Sequence, residues 1–250
     1  MRTGICKACR QPLPDEVRKV ERFTRPWMPR PYENVMLLGM TGSGKSFLFK
    51  NWLAYMQANG AACFVLDVGD EYSRKGNDRG GTLRLGPLRT RMTVPEFLAA
   101  VERSSLFVRH ARASVAIVPT VHDAGEALAE HIRPVLRILY GRGRCVIGFD
   151  ELQKYGPSLT AELYRAAGEL GKDGVMPFFL SQYPGGVPEI VRKQVGTCVA
   201  SEIGKATDRR MLAADFGDPF ANALGTPRAP DDRTFHVGFS RARFASIPTR

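Results

Sequence analysis

The chain has 250 residues, 44% hydrophobic and 24% charged, and carries 36 lysines and arginines against 25 aspartates and glutamates, for a formal net charge of +11. That length fits one α/β core of about 210 residues with little left for accessory domains, and no apolar run approaches membrane-spanning length or the core of a signal peptide. An odd count of five cysteines argues against a disulfide framework and for a reducing compartment, while the basic balance points to a polyanionic partner, nucleic acid.

The first residues differ in texture from the rest. Residues 1–31 read as a basic, Pro-rich strap containing Trp27 and the pair Cys6-Lys7-Ala8-Cys9. That pair is half of a tetrahedral zinc set. The other cysteines, Cys63, Cys145 and Cys198, fall in predicted core strands, and no histidine lies near in sequence. A reduced pair is therefore favoured over zinc at Cys6 and Cys9, the alternative being an ion shared between subunits.

Asn34 to Leu38 predicts a buried strand, and Gly39-Met40-Thr41-Gly42-Ser43-Gly44-Lys45-Ser46 follows it as a complete phosphate-binding loop. A helix is expected from Gly44 through Phe47, Leu48, Trp52, Leu53 and Met56 to a stop at Asn59-Gly60. The glycines let backbone N–H groups turn toward phosphates at the positive end of that helix. Lys45 is expected to reach the β and γ phosphates, and the Ser46 hydroxyl to bind Mg²⁺. Residues 39–47, ending at Phe47, form the expected nucleotide cradle.

After Val65 to Tyr72 (VLDVGDEY), Arg74, Lys75, Arg79, Arg84, Arg89 and Arg91 crowd a Gly-rich connection. It is read either as a pore loop gripping phosphates without reading bases or as an exposed solubilising loop. Stacking aromatics are missing there, which favours duplex over single-stranded DNA. Thr93 to Glu102 predicts a helix capped by Thr93, Ser114 to Val118 a strand, and His122 to Leu139 a long helix bent or restarted at Pro134.

Cys145 to Glu151 (CVIGFDE) is an apolar run ending in two acids, the form of a parallel strand with carboxylates at its ligand-binding edge. Asp150 is the second candidate Mg²⁺ ligand and Glu151 the candidate base for the attacking water. Leu159 to Leu170 predicts a helix and Met176 to Leu180 another buried strand, ending in Ser181-Gln182. Gln182, at once donor and acceptor, suits a sensor of the γ phosphate. Thr197 to Ile203 reads as the last central strand, residues 217–230 as a long surface connection, and Arg233 to Phe239 as an edge strand.

Gly174 to Leu212, GVMPFFLSQYPGGVPEIVRKQVGTCVASEIGKATDRRML, resembles the post-sensor region of the HerA/FtsK superfamily of P-loop DNA-translocating ATPases. The shared order is a strand, Ser-Gln-x-Pro, a short Pro-Glu-Ile helix, a Gly-Thr, and then Asp-Arg-Arg. The phosphate loop has the form this superfamily favours. VLDVGDEY is similar to its second-strand motif, with Asp70 inserted into the usual Gly-Glu-Tyr.

The resemblance covers residues 30–240. It implies an α/β P-loop NTPase of the ASCE, RecA-like type, with a mostly parallel sheet flanked by helices and residues 32–245 forming one motor domain. It also implies a homo-oligomeric ring, usually a hexamer, with ATP between subunits and an arginine supplied by the neighbour. Arg209 and Arg210 are the first candidates for that arginine, with Arg192 and Arg165 in reserve.

With no barrel, membrane span or winged helix evident, the chain is most similar to the genome-packaging ATPases of tailless icosahedral viruses with an internal membrane. The implied setting is the host cytoplasm or a virion vertex, with double-stranded DNA and a capsid vertex or membrane protein as partners. A plasmid-transfer or HerA-like DNA-processing ATPase is the alternative, as is a nucleotide-dependent assembly protein that does not pump DNA.

Overall fold

The computed structural model describes residues 29, 33–73, 87–104, 110, 112–121, 123–226, 234–240 and 243–247. The Cys6/Cys9 pair, almost all of the strap, and Arg74, Lys75, Arg79 and Arg84 lie outside these residues. The strands are β1 Val35–Leu38, β2 Cys63–Leu66, β3 Thr90–Thr93, β4 Ser114–Val118, β5 Val146–Phe149, β6 Met176–Ser181, β7 Thr197–Ala200, β8 Phe235–Phe239 and β9 Arg243–Ile247. They form one sheet in the order β3-β4-β2-β5-β6-β1-β7-β8-β9. Pairing is parallel from β3 to β7 and antiparallel from β7 through β8 to β9.

The central strands are apolar on both faces because helices cover both, as parallel sheets require. Helix α1, Lys45–Ala58, lays Leu48, Phe49, Trp52 and Leu53 on the face formed by Val35, Leu37, Val65, Phe178 and Leu180. The opposite face presents Met36, Leu38, Phe64, Ile147 and Phe179. These pack with α2 (Val94–Arg103), α3 (Glu126–Arg142), α4 (Thr160–Gly168) and α6 (Ala206–Phe216), the short α5 being Glu189–Arg192. Gly148 in β5 is what lets α1 approach so closely: a Cβ there would press on the Phe49 ring at 2.7 Å and on Val65 at 3.1 Å.

Several expectations shift in detail. Thr93 does cap α2, as half of a capping box with Glu96. Helix α3 begins at Glu126 and runs unbroken through Pro134, so that proline neither ends nor restarts it. Residues 217–230 are not simply a connection, because α7, Asp218–Leu224, buries Phe220, Ala221 and Leu224. Gly217 precedes that helix, Pro219 sits in its first turn and Gly225 follows it. The Pro and Gly content is thus helix punctuation as much as loop signal. The edge strands β3 and β9 had no clear apolar pattern to announce them.

The sheet order decides where the chemistry sits. β6 is inserted between β1 and β5, and the carboxyl ends of β1, β5, β6, β2 and β7 meet along one edge. At that edge lie Gly39, Asp150-Glu151, Ser181-Gln182, Asp67 and Ser201.

Candidate functional site

The loop turns into α1 through Gly44, at φ 89° and ψ 7°, left-handed backbone that glycine adopts without strain. No side chain caps α1 and its first turn holds no acid, so the orphan N–H groups of that turn are left for an anion. Gly39 N–H bonds to the Ser181 carbonyl at 3.2 Å, fastening the loop to the end of β6. A Cβ on Gly39 would collide with the hydroxyls of Ser43 and Ser201. Lys45 is buried, whereas Met40 and Phe47 are exposed at 66% and 47% and present apolar surface around the loop.

Asp150 is fully enclosed. Burial raises its carboxyl to about 7; Lys45 opposes that shift, while Asp67, Glu151 and Glu71 add to it. Four acids therefore gather at the mouth of the loop, where Lys45 is the buried cation and the less buried Lys154 and Lys50 lie 3.6 Å from Glu151 and 3.8 Å from Glu71, which leaves the corner short of positive charge. The Tyr72 hydroxyl donates to Asp150 Oδ1 at 3.3 Å, so it holds one of the two candidate magnesium ligands. Asp67, at the end of β2, accepts from the N–H groups of Glu71 at 2.7 Å and Tyr72 at 2.9 Å.

Glu151 sits in left-handed backbone, φ 51° and ψ 40°. That conformation costs a non-glycine residue about 1 kcal/mol or more. Its carboxylate accepts from Gln153 Nε2 at 2.8 Å and from Gln182 Nε2 at 3.4 Å, with Lys154 Nζ at 3.6 Å. The Gln153 side-chain Oε1 in turn accepts from Ser181 Oγ and from Gln182 N–H, each at 3.2 Å. Gln153 thus joins the acid pair to the end of β6, and the sequence offered no sign of it, because a glutamine in a turn carries no spacing signature.

The candidate arginines differ sharply. Arg209 Nη1 donates to the carbonyls of Ile203 and Gly204, both at 2.7 Å, and so braces the turn into α6. Arg210, on the same helix, is exposed, and its side chain has no hydrogen bond or ion pair among the described residues. Arg192 is buried against Asp215 at 2.9 Å and the Val187 carbonyl at 3.0 Å. Arg165 lies 5.8 Å from the Tyr140 ring, with Glu169 at 3.8 Å. Arg91, expected in the basic connection, instead forks onto Asp70 at 2.9 and 3.3 Å. The Asp inserted in Gly-Asp-Glu-Tyr therefore has a structural partner on β3.

A phosphate loop between strand and helix, with another strand inserted between it and the acid pair, defines the P-loop NTPase fold of the ASCE, RecA-like type. No protein-family model matches the sequence, and no curated protein is similar to it. Among solved structures the fold is similar to the genome packaging NTPase B204 from Sulfolobus turreted icosahedral virus 2 in complex with AMP. That match has 14% identity and a TM-score of 0.64, covering 88% of this chain and 99% of that one. The same protein with ATP-gammaS gives 15% identity, a TM-score of 0.62 and coverage of 88% and 99%. The pCW3 conjugation coupling protein TcpA, monomer form with ATPgS, gives 14%, 0.50, and coverage of 87% and 60%. At these identities the likeness is one of fold. No helix among the described residues is long and apolar enough to cross a membrane.

Proposed function

We propose that the protein is an ATPase that drives double-stranded DNA through a ring of its own copies, packaging a viral genome into a preformed capsid. One observation carries the hydrolytic part of this reading. Glu151 and Gln182 approach to 3.4 Å at the ends of adjacent parallel strands, beside a loop tied to the same strand end.

In the proposed reaction the loop N–H groups and Lys45 hold the β and γ phosphates. Gln182 orients a water, whose oxygen bonds to the γ phosphorus as its proton passes to Glu151. The bond from that phosphorus to the bridging oxygen breaks, and its electron pair leaves with ADP. Gln153 and Lys154 hold the Glu151 carboxylate toward the water.

Ser46 and Asp150 fit a magnesium ion, since a buried carboxylate in an acid-rich corner lacks positive charge. Among the described residues no three His, Cys, Asp or Glu side chains form a metal cage; an ion that shares phosphate oxygens needs none, and when bound it neutralises their charge. Arg210 is the proposed arginine acting across a subunit interface. Arg209 is assigned to holding its helix.

DNA as the cargo is supported by the charge of +11, by the basic residues between Tyr72 and Leu88, and by fold likeness to a genome packaging NTPase. The likeness to a conjugation coupling protein favours plasmid transfer as the second reading. ATP turnover measured with and without linear duplex separates both from a DNA-independent assembly protein. Acceleration by duplex that fades as salt rises supports a DNA motor; a rate indifferent to DNA overturns it.

A further inference from the structure

Tyr72 is held at every level at once. Its ring is fully buried, edge-on to Phe49 at 5.5 Å between centroids, with the Lys50 ammonium 5.4 Å from its centre. Its N–H is clamped by Asp67, its carbonyl accepts from Leu88 N–H at 3.0 Å, and the next residue, Ser73, bridges to Leu88. Packing alone would be served by a phenylalanine. A buried hydroxyl is costly unless bonded, and this one donates to Asp150 at 3.3 Å.

We propose that Tyr72 is a positioning residue that sets the orientation of Asp150 for the metal ion accompanying the nucleotide. This rests on the reading of the site as a magnesium-nucleotide site. By engaging one oxygen of Asp150, the hydroxyl stops the carboxylate from rotating and leaves the other oxygen for a cation. The clamp from Asp67 and the bond to Leu88 keep Tyr72 from following Asp150 if it moves.

The test is Tyr72→Phe, read by binding of a fluorescent ATP analogue titrated with Mg²⁺ and, separately, in EDTA. Affinity in EDTA is expected to stay within about twofold of wild type, because phosphate is held there by the loop and Lys45. The Mg²⁺ midpoint is expected to rise about three- to tenfold, the scale of one lost hydrogen bond to a charged group. An unchanged midpoint overturns the proposal. So does a lowered one, which would mean that the hydroxyl occupies the cation's own place. A wild-type protein that binds no nucleotide at all would instead overturn the site itself.

A second measurement does not depend on the folding of the phenylalanine variant. With 3-fluorotyrosine placed at position 72, the hydroxyl and ring packing remain, and the Mg²⁺ midpoint is expected to match wild type. Its ¹⁹F resonance should move when Mg²⁺ is added to the nucleotide complex. A resonance blind to Mg²⁺ contradicts the assignment.

Discussion

Gln182 and Glu151 stand 31 residues apart in the chain yet meet at 3.4 Å, because β6 is slotted between the strand of the phosphate loop and the strand of the acid pair. The proposed phosphate sensor and the proposed base thereby sit at the ends of neighbouring strands. Gln153 completes the connection by bonding to Glu151, Ser181 and Gln182 together.

Glu151→Gln is expected to lower ATP turnover by about 10²- to 10⁴-fold, the usual worth of a positioned base, while nucleotide is still bound. Gln153→Ala should lower kcat by about tenfold through misplacement of Glu151 and Gln182, with KM nearly unchanged. Steady-state kinetics with binding measured alongside checks both. Full activity of Glu151→Gln would remove the proposed base.

Arg210→Ala and Arg209→Ala should fail for different reasons. The Arg210 side chain is free among the described residues, so Arg210→Ala should fold normally and lose turnover. Mixed with Glu151→Gln subunits, it should regain part of its activity if the arginine serves the neighbour's site. Arg209→Ala removes two bonds to backbone carbonyls and is expected to cost about 1 to 3 kcal/mol of stability. Thermal unfolding and subunit mixing distinguish the two, and no rescue with Arg210→Ala would end its role across an interface.

Neutralising Arg74, Lys75, Arg79 and Arg84 should weaken duplex binding and flatten its salt dependence by about one unit of slope for each DNA phosphate no longer neutralised. Arg91→Ala should leave that slope close to wild type, since its guanidinium is already committed to Asp70. Binding isotherms across a salt series provide the measurement. Equal effects at Arg91 and in the loop would argue that the loop is only a solubilising surface.

Cys63, Cys145 and Cys198 are buried, and burial raises all three thiols, Cys145 to about 11. The folded state holds these protons at pH values where the unfolded chain has released them. Stability is therefore expected to fall as pH climbs from about 9 toward 11, through the window between the two states' values. In the native protein near pH 8, Cys63, Cys145 and Cys198 should resist a thiol reagent, so the doubly substituted Cys6→Ser, Cys9→Ser protein should react negligibly until denatured. Fast native labelling of that double variant would show that these strands open readily.

The parts of the site legible in the sequence are those fixed by covalent spacing. The phosphate loop, the Asp150-Glu151 pair and the Ser181-Gln182 strand end each lie within a few residues of an apolar run whose length and flanks identify it. What escaped notice depends on distant segments meeting. The hydroxyl of Tyr72 on Asp150, the clamp at Asp67, the linking role of Gln153 and the contrast between Arg209 and Arg210 all arise from partners that no local pattern pairs. Helix α7 was hidden for another reason: Gly217, Pro219 and Gly225 are shared by loops and by helix ends, and only the burial of Phe220 and Leu224 separates the two.

The left-handed backbone at Glu151 sets heat tolerance against turnover. Glycine or asparagine would take up that conformation with little backbone penalty, but either would give up the carboxylate that meets Gln153, Gln182 and Lys154 and that serves as the base in the proposed reaction. Selection on backbone ease alone would therefore press on this position, as on Asp70 and Arg144, and a screen that measures folding without measuring work would not notice the loss.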